Sequence, residues 1–484
     1  MKLKKLFAVM LCVCMLCTSV LSVSAAKTLA DYLPIDTTNG EVVAKFYDSL
    51  LNYIVRNYRY DLTREELLTA AVTAILQEHP ELLEEFGKGA FEALDENSLY
   101  YNAEEFEARF EDVSGVYVGI GINVYYDENS VILGEALEGS PAESSGLKVG
   151  DIVVAVDGEN VKGYGIDKVT SLIKGAEGTS VNITVSRNGA EYTYTLKRAT
   201  IKINPVTYNV IEGTNVGYVK ISSFNSNTII GFDEAMIDLN SKGVKTVVLD
   251  LRNNLGGYLD AAIAVASYFI PDGKLIASEE YKDEKKNNYH YADKTKCKFK
   301  AVVLINEYSA SASELVSGAL KDYGTGIIVG QTSYGKGTVQ TYVPLRSNHY
   351  MWYTVAEYYT PSHNPIHKVG IQPDYFVTNK LGEFDMSAVS AYEITRVLKV
   401  GDKGADVYAV KERLKAMGYQ LEVNDVYDEN TANAVNNFQK NTSLFPYGVA
   451  DFTTQLKLND ELKASKVEID KQLEKAISLA KNMK

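Results

Sequence analysis

Residues 306–344 read NEYSASASELVSGALKDYGTGIIVGQTSYGKGTVQTYVP, and the reading of this stretch decides that of the chain. Residues 301–305, AVVLI, precede it as a buried-strand pattern. After the serine cluster, Leu315, Val316, Ala319 and Leu320 fall at helical spacing, and Tyr323-Gly324 closes the run. A serine at a strand-to-helix corner sits where backbone N–H groups are unpaired and negative charge is favoured. Acyl transfer needs such a place, because its tetrahedral intermediate carries an oxyanion. Ser311 and Glu314 also fit a capping box, which would make Ser311 a helix start and nothing more. Residues 326–330, GIIVG, form a short strand, and Gly335-Lys336-Gly337 follows. Gly330 to Lys336 falls one residue short of a phosphate-binding loop. Gly337 stands where Ser or Thr is required, and residues 338–343 read as a strand, so nucleotide binding is rejected. A lysine in an apolar, glycine-tight site has a depressed pKa and can take a proton from a serine. The competing reading is a solvated lysine at a strand end.

SASASE, GALKDYG and GxxxxGKGTVQ together are similar to the carboxyl-terminal processing proteases, also called tail-specific proteases. The resemblance implies Ser311 as nucleophile, Lys336 as general base and Gln340, four residues on, as the group that orients the lysine. DLRNNLGG, ending at Gly256-Gly257, resembles the family's second signature. It implies an oxyanion hole made by the backbone N–H groups of Gly257, with Gly256 as the alternative, and of Ala312. Tyr358-Tyr359-Thr360-Pro361 and Gly370-Ile371-Gln372-Pro373-Asp374 match further landmarks. Ser362-His363-Asn364 replaces a glycine-containing turn common in the family, which leaves the shape of that loop open.

The chain has 484 residues, 46% hydrophobic and 23% charged, which indicates several globular domains. A net charge of −14 argues against nucleic acid or an anionic membrane surface as partner. Basic residues 1–5, apolar residues 6–23 and the small-residue site Val23-Ser24-Ala25 read as an export signal, with a retained anchor as the competing reading. Cys12, Cys14 and Cys17 lie inside that segment. Cleavage would leave Cys297 alone and preclude an intramolecular disulfide. An exported protein without disulfides suits a bacterial envelope.

Residues 41–111 read as helices, with Thr63 to Glu66 opening one of them, and the resemblance implies homodimerisation there. GSPAESSGLKVGDIVVAVDG, residues 139–158, resembles a PDZ domain, a fold that adds a peptide as an extra strand. Val118, Gly119, Ile120, Gly121 and Ile122 are the expected peptide-binding loop and edge. From Val397 to about Leu462 the chain resembles a peptidoglycan-binding module, read either as a wall-docking device or as a packing domain. An amphipathic helix ends the chain and is expected to pack against the body. His363 and His367, four apart, lack a third ligand and a helix pattern, so neither metal nor cofactor is expected.

The expected architecture is multidomain α+β. It comprises a signal peptide (1–25), an N-terminal helical segment (26–113) and a PDZ β-sandwich or barrel-like domain (114–200). A mixed α/β, ClpP/crotonase-like Ser-Lys protease core (201–390), a small helical module (391–463) and a terminal helix (464–484) follow. The implied function is an exported serine endopeptidase acting on proteins with accessible C-terminal tails, with peptidoglycan as a second partner. The alternatives are a catalytically silent PDZ and wall scaffold, and a structural wall protein.

Overall fold

The computed structural model describes residues 40–127, 130–187, 189–293, 299–345 and 348–483. The expected signal segment with its three cysteines, and Cys297, lie outside the described residues. The chain divides between Ala93 and Leu94 into two compact units.

The first unit is helical. It contains α1 (Gly40–Asn57), α2 (Arg64–Glu78) and α3 (Leu83–Phe91). Thr63 caps α2 in a reciprocal capping box with Glu66, as the sequence implies. Helix α1 buries Phe46 and Leu51, while α2 buries none of its residues.

The second unit opens with β1 (Leu99–Tyr101) and α4 (Ala103–Ser114), which the sequence reading had placed in the N-terminal helical segment. The region expected to be a PDZ domain follows. Its ribbon pairs β2 (Val116–Gly119) with β9 (Ala199–Lys202). Between them lie β3 (Ile122–Asp127), β4 (Ser130–Ala136), β5 (Ile152–Val156), β6 (Glu159–Asn160), α5 (Ile166–Ile173), β7 (Ser180–Arg187) and β8 (Ala190–Lys197). The sheet runs β3-β4-β5-β7-β8, with β6 on β5. Strand β7 shows why these residues form a sheet: Val181, Ile183 and Val185 alternate into a core shared with Val169 and Ile173 of α5.

The core expected to carry the serine cluster is a six-stranded sheet ordered β10-β11-β12-β15-β16-β19. Strand β10 (Val206–Val210) is the antiparallel edge. Parallel to one another run β11 (Val216–Ile221), β12 (Thr246–Asp250), β15 (Lys300–Ile305), β16 (Gly326–Gly330) and β19 (Tyr375–Phe376). Three helices cover one face: α6 (Thr228–Ser241), α7 (Leu259–Ser267) and α8 (Ala312–Asp322). Val247, Leu249, Val303 and Ile305 point to that side. Val248, Val302, Leu304 and Val329 point to the other and meet Ala476 and Ala480 of α12 (Lys471–Ala480). Burial on both faces explains the continuous apolar runs TVVL and AVVLI. Each such side chain removed from water contributes about 1.5–3 kcal/mol.

A second sheet holds β1, β13 (Leu275–Tyr281), β14 (Asn288–Tyr291), β17 (Thr338–Pro344) and β18 (Tyr350–Tyr359). Phe106 of α4 stacks on Tyr350 of β18 with ring centroids 3.8 Å apart. The C-terminal module packs α9 (Ala405–Ala416), α10 (Glu429–Asn441) and α11 (Phe452–Ala464) around Leu398, Tyr427, Val435, Phe438 and Leu458. This module is inserted and not appended, because the strands on either side of it, β20 (Lys380–Glu383) and β21 (Lys466–Ile469), pair antiparallel. Helix α12 then returns to the core sheet. Among the described residues no helix is long and apolar enough to cross a membrane.

Candidate active site

Strand β15 delivers the chain to the serine cluster, and the three serines separate by what they hold. Ser309 is fully buried, and its hydroxyl donates to Leu251 O at 2.8 Å. Ser313 is equally buried and donates to Asn254 O at 2.9 Å. Both hydroxyls therefore tie the helix start to the loop carrying Gly256 and Gly257. Ser311, half-buried between them, adopts φ 54° and ψ −113°. A non-glycine residue there costs about 1–3 kcal/mol and persists only where its surroundings enforce it.

Glu314 supplies that enforcement. Ser311 N–H donates to its Oε2 at 2.8 Å, which is the glutamate's half of a capping box. Glu314 N–H donates to the Ser311 backbone carbonyl, also at 2.8 Å. The carboxylate is fully buried and takes three further donors: Lys336 N–H on Oε2 at 2.9 Å, Gly335 N–H on Oε1 at 2.7 Å, and the Ser333 hydroxyl on Oε1. Ser333 Oγ in turn accepts from Ile371 N–H at 2.6 Å. Burial pushes the Glu314 carboxyl up, against hydrogen bonds that pull it down. One carboxylate oxygen thus fixes the backbones of Ser311 and Lys336 together. Sequence reasoning took Glu314 for a capping residue only; its signal was a lone acid opening an otherwise buried helix.

The Lys336 ammonium makes no hydrogen bond or ion pair among the described residues. Burial holds its pKa below the ordinary lysine range, and the Arg109 guanidinium adds to this, while Asp95 and Glu314 oppose it. Arg109 lies on α4 and also faces the Trp352 ring of β18, at 5.9 Å. Among the described residues no hydrogen bond joins Gln340 to Lys336. It follows a register shift between Val339 and Gln340 in the β17–β18 pairing, and its amide donates to Thr338 Oγ1 at 2.8 Å and Thr354 Oγ1 at 3.1 Å. Thr354 Oγ1 itself donates to Asp95 at 3.0 Å. Neither Asp95 nor Arg109 carries a signal in the sequence, since both lie far from the catalytic signatures.

Across from the serines, the glycine loop separates its two N–H groups. Asn254 is fully buried, with its Nδ2 on Ile221 O at 2.8 Å and its Oδ1 accepting from Gly256 N–H at 2.8 Å. Gly256 is therefore committed. Among the described residues, the N–H groups of Gly257 and Ala312 make no hydrogen bond. Neither glycine tolerates a side chain: a Cβ at Gly256 would lie 2.8 Å from Ser311 Cβ, and one at Gly257 would lie 2.1 Å from Phe224 O. Of the two glycines weighed from the sequence, only Gly257 has a donor to offer an oxyanion.

In the PDZ domain, Val118 and Gly119 sit on β2 and pair with Thr200 and Ala199 of β9 in a two-stranded ribbon. The Ile120 side chain is buried in the domain core, and Gly121 takes φ 70° with its carbonyl accepting from Ser140 Oγ and Leu137 N–H. Ile122 begins β3, which is an edge of its sheet and lies beside α5. His363 is held by Glu280, at 2.7 Å, and stacks on Tyr359. Among the described residues, Nδ1 of His367 is buried without a partner. The described residues contain no group of three metal-type ligands.

Three family models match the chain: peptidase family S41 over residues 215–377, a PDZ domain over 134–187 and a peptidoglycan binding domain over 403–458. The carboxy-terminal processing protease CtpA of Bacillus subtilis (strain 168) is 34% identical over 396 residues, covering 81% of this chain and 84% of that protein. The solved photosystem II D1 C-terminal processing protease is 29% identical, covers 69% of this chain and 86% of that one, and has a TM-score of 0.37. The chain belongs to peptidase family S41, as a carboxy-terminal processing serine protease with a PDZ domain and a peptidoglycan-binding domain.

Proposed function

We propose that Ser311 and Lys336 form the catalytic dyad of an exported endopeptidase that acts on proteins with accessible C-terminal tails. The observation that carries this reading is the Glu314 carboxylate, whose Oε2 accepts from the backbone N–H groups of both residues. Neutral Lys336 takes the Ser311 proton as Oγ attacks the peptide carbonyl. The N–H groups of Gly257 and Ala312 receive the oxyanion. Collapse breaks the C–N bond, and the leaving amine takes the proton from Lys336. Water, deprotonated by the same lysine, then hydrolyses the acyl-enzyme and regenerates Ser311. To orient Lys336, Gln340 Oε1 must come within hydrogen-bond reach of its nitrogen, while the amide Nε2 is held on Thr338 and Thr354.

A substrate tail would extend the sheet at β3, with the Gly121 N–H, unbonded among the described residues, as one donor for its carboxylate. Residues 1–25 would direct export, and the inserted module, residues 391–463, would dock the enzyme at peptidoglycan. The protease core then comprises residues 201–390 together with 464–484. The test uses protein lacking residues 1–25 and an unstructured substrate such as casein. Wild type should cleave, and Ser311→Ala and Lys336→Ala should not; cleavage persisting in both variants refutes the dyad. Tail preference unchanged after deletion of residues 114–199 would refute the PDZ role.

A further inference from the structure

After the inserted module the chain reaches the glycine loop from its far side. Asp470 Oδ1 accepts from Arg252 Nη1 at 2.7 Å, across 218 residues of sequence. Gln472 Oε1 accepts from the same nitrogen at 3.1 Å. The other edge of the guanidinium is locked on Asp250, through Nε at 2.9 Å and Nη2 at 2.6 Å, and Asp250 also accepts from Tyr218 Oη at 2.8 Å. Asp250 is buried at the end of β12, and Arg252 is the residue from which the loop to Gly257 departs. Gln472 is itself buried, with Nε2 on Val377 O at 2.9 Å and its N–H on Asn379 Oδ1 at 3.1 Å. Behind these contacts α12 is seated on the sheet by Ala476 and Ala480.

An arginine held only by a carboxylate two residues away follows that strand end wherever it moves. A second carboxylate on a separate, packed helix fixes the guanidinium in space, and charge-assisted bonds of this kind are about twice as strong as neutral ones. We propose that Asp470, seconded by Gln472, is a positioning residue for the oxyanion loop: by clamping Arg252 it holds Gly257 N–H where charge develops. The segment beyond the inserted module is then part of the catalytic apparatus. This rests on the oxyanion role proposed for Gly257.

The test exploits a second duty of Asp470, which caps α12 by accepting from Leu473 N–H at 2.9 Å. Asp470→Ser keeps a capping oxygen but is too short to reach Arg252, and Asp470→Asn keeps the acceptor without its charge. Active sites are titrated with a fluorophosphonate, so that a purely structural defect lowers the titre and not the turnover per site. Per titrated site, kcat should fall about tenfold in Asp470→Ser, short of the ~10²–10³ that follows loss of an oxyanion donor. It should fall about threefold in Asp470→Asn, with KM within about twofold of wild type in both. Affinity for a peptide boronate, whose tetrahedral adduct occupies the oxyanion hole, should drop in step with kcat. Wild-type kcat per site in both variants overturns the proposal. If Asp470→Ser does not fold, Asp470→Asn decides by the same measure. Ser311→Ala, run in parallel, separates the failures: residual cleavage there overturns the site reading and this inference with it, whereas silence there beside unchanged Asp470 variants overturns the inference alone.

Discussion

Around Ser311 the neighbouring polar side chains are committed, Ser309 to Leu251 and Ser313 and Asn254 to the glycine loop, and the serine's own N–H goes to Glu314. Across the same carboxylate, the Lys336 side chain has no hydrogen-bond partner among the described residues, and Gln340 is engaged elsewhere. The difference lies in the supporting elements. The serine side is built from core strands and a helix buried along nearly its whole length, whereas the lysine side belongs to a hairpin on the second sheet, packed against α4. Nucleophile and oxyanion donors are therefore preorganised, while the base can be adjusted through whatever moves α4 or the hairpin.

Replacing Glu314 should break the comparison most severely, because it removes what the two sides share. Glu314→Gln turns an NH₂ toward two of the four donors and leaves at least one buried N–H unsatisfied. The expected losses are ~10²–10³ in kcat per titrated site, similar to loss of an oxyanion donor, and about 1–3 kcal/mol of stability by thermal unfolding. Near-wild-type turnover would show that the backbone tie is dispensable.

A smaller effect is expected at Arg109. Burial first, and then this guanidinium, hold Lys336 below the ordinary lysine range, and the neutral form is the base. Arg109→Gln removes a positive charge, so the lysine pKa rises and less neutral lysine is present at pH 7. The rising limb of the kcat/KM profile should move to higher pH, with lower turnover at neutrality. An unmoved limb would assign the depressed pKa to burial alone.

The mildest change sharpens the contrast. Thr354→Val deprives the Gln340 amide of one of its two acceptors and should favour its release toward Lys336. Peptide turnover should rise about two- to fivefold, matching the ~0.5–1 kcal/mol of one neutral hydrogen bond. A fall in turnover would mean that the bonded position of Gln340 is the working one.

Much of this protein is legible along the chain. The serine cluster, the GKG lysine, the glycine loop, the PDZ pattern and the apolar strands are local features, set by residue type, period and capping chemistry within a few positions. The helix opening at Thr63 to Glu66 is read correctly for that reason. The rest depended on partners distant in sequence. Gly257 is distinguished from Gly256 because Asn254, itself fixed on Ile221, occupies one N–H and not the other. Val118 and Gly119 are tied to β9, and the Gln340 amide to Thr354, by pairings that no local pattern announces. The terminal helix is amphipathic in any reading, but only the folded core decides that it covers the second face of the sheet and that Asp470 meets Arg252. Sequence determined which chemical groups are present and which elements carry them. Tertiary structure decided which donors stay free, because a hydrogen bond to a residue fifty or two hundred positions away leaves no period in the sequence.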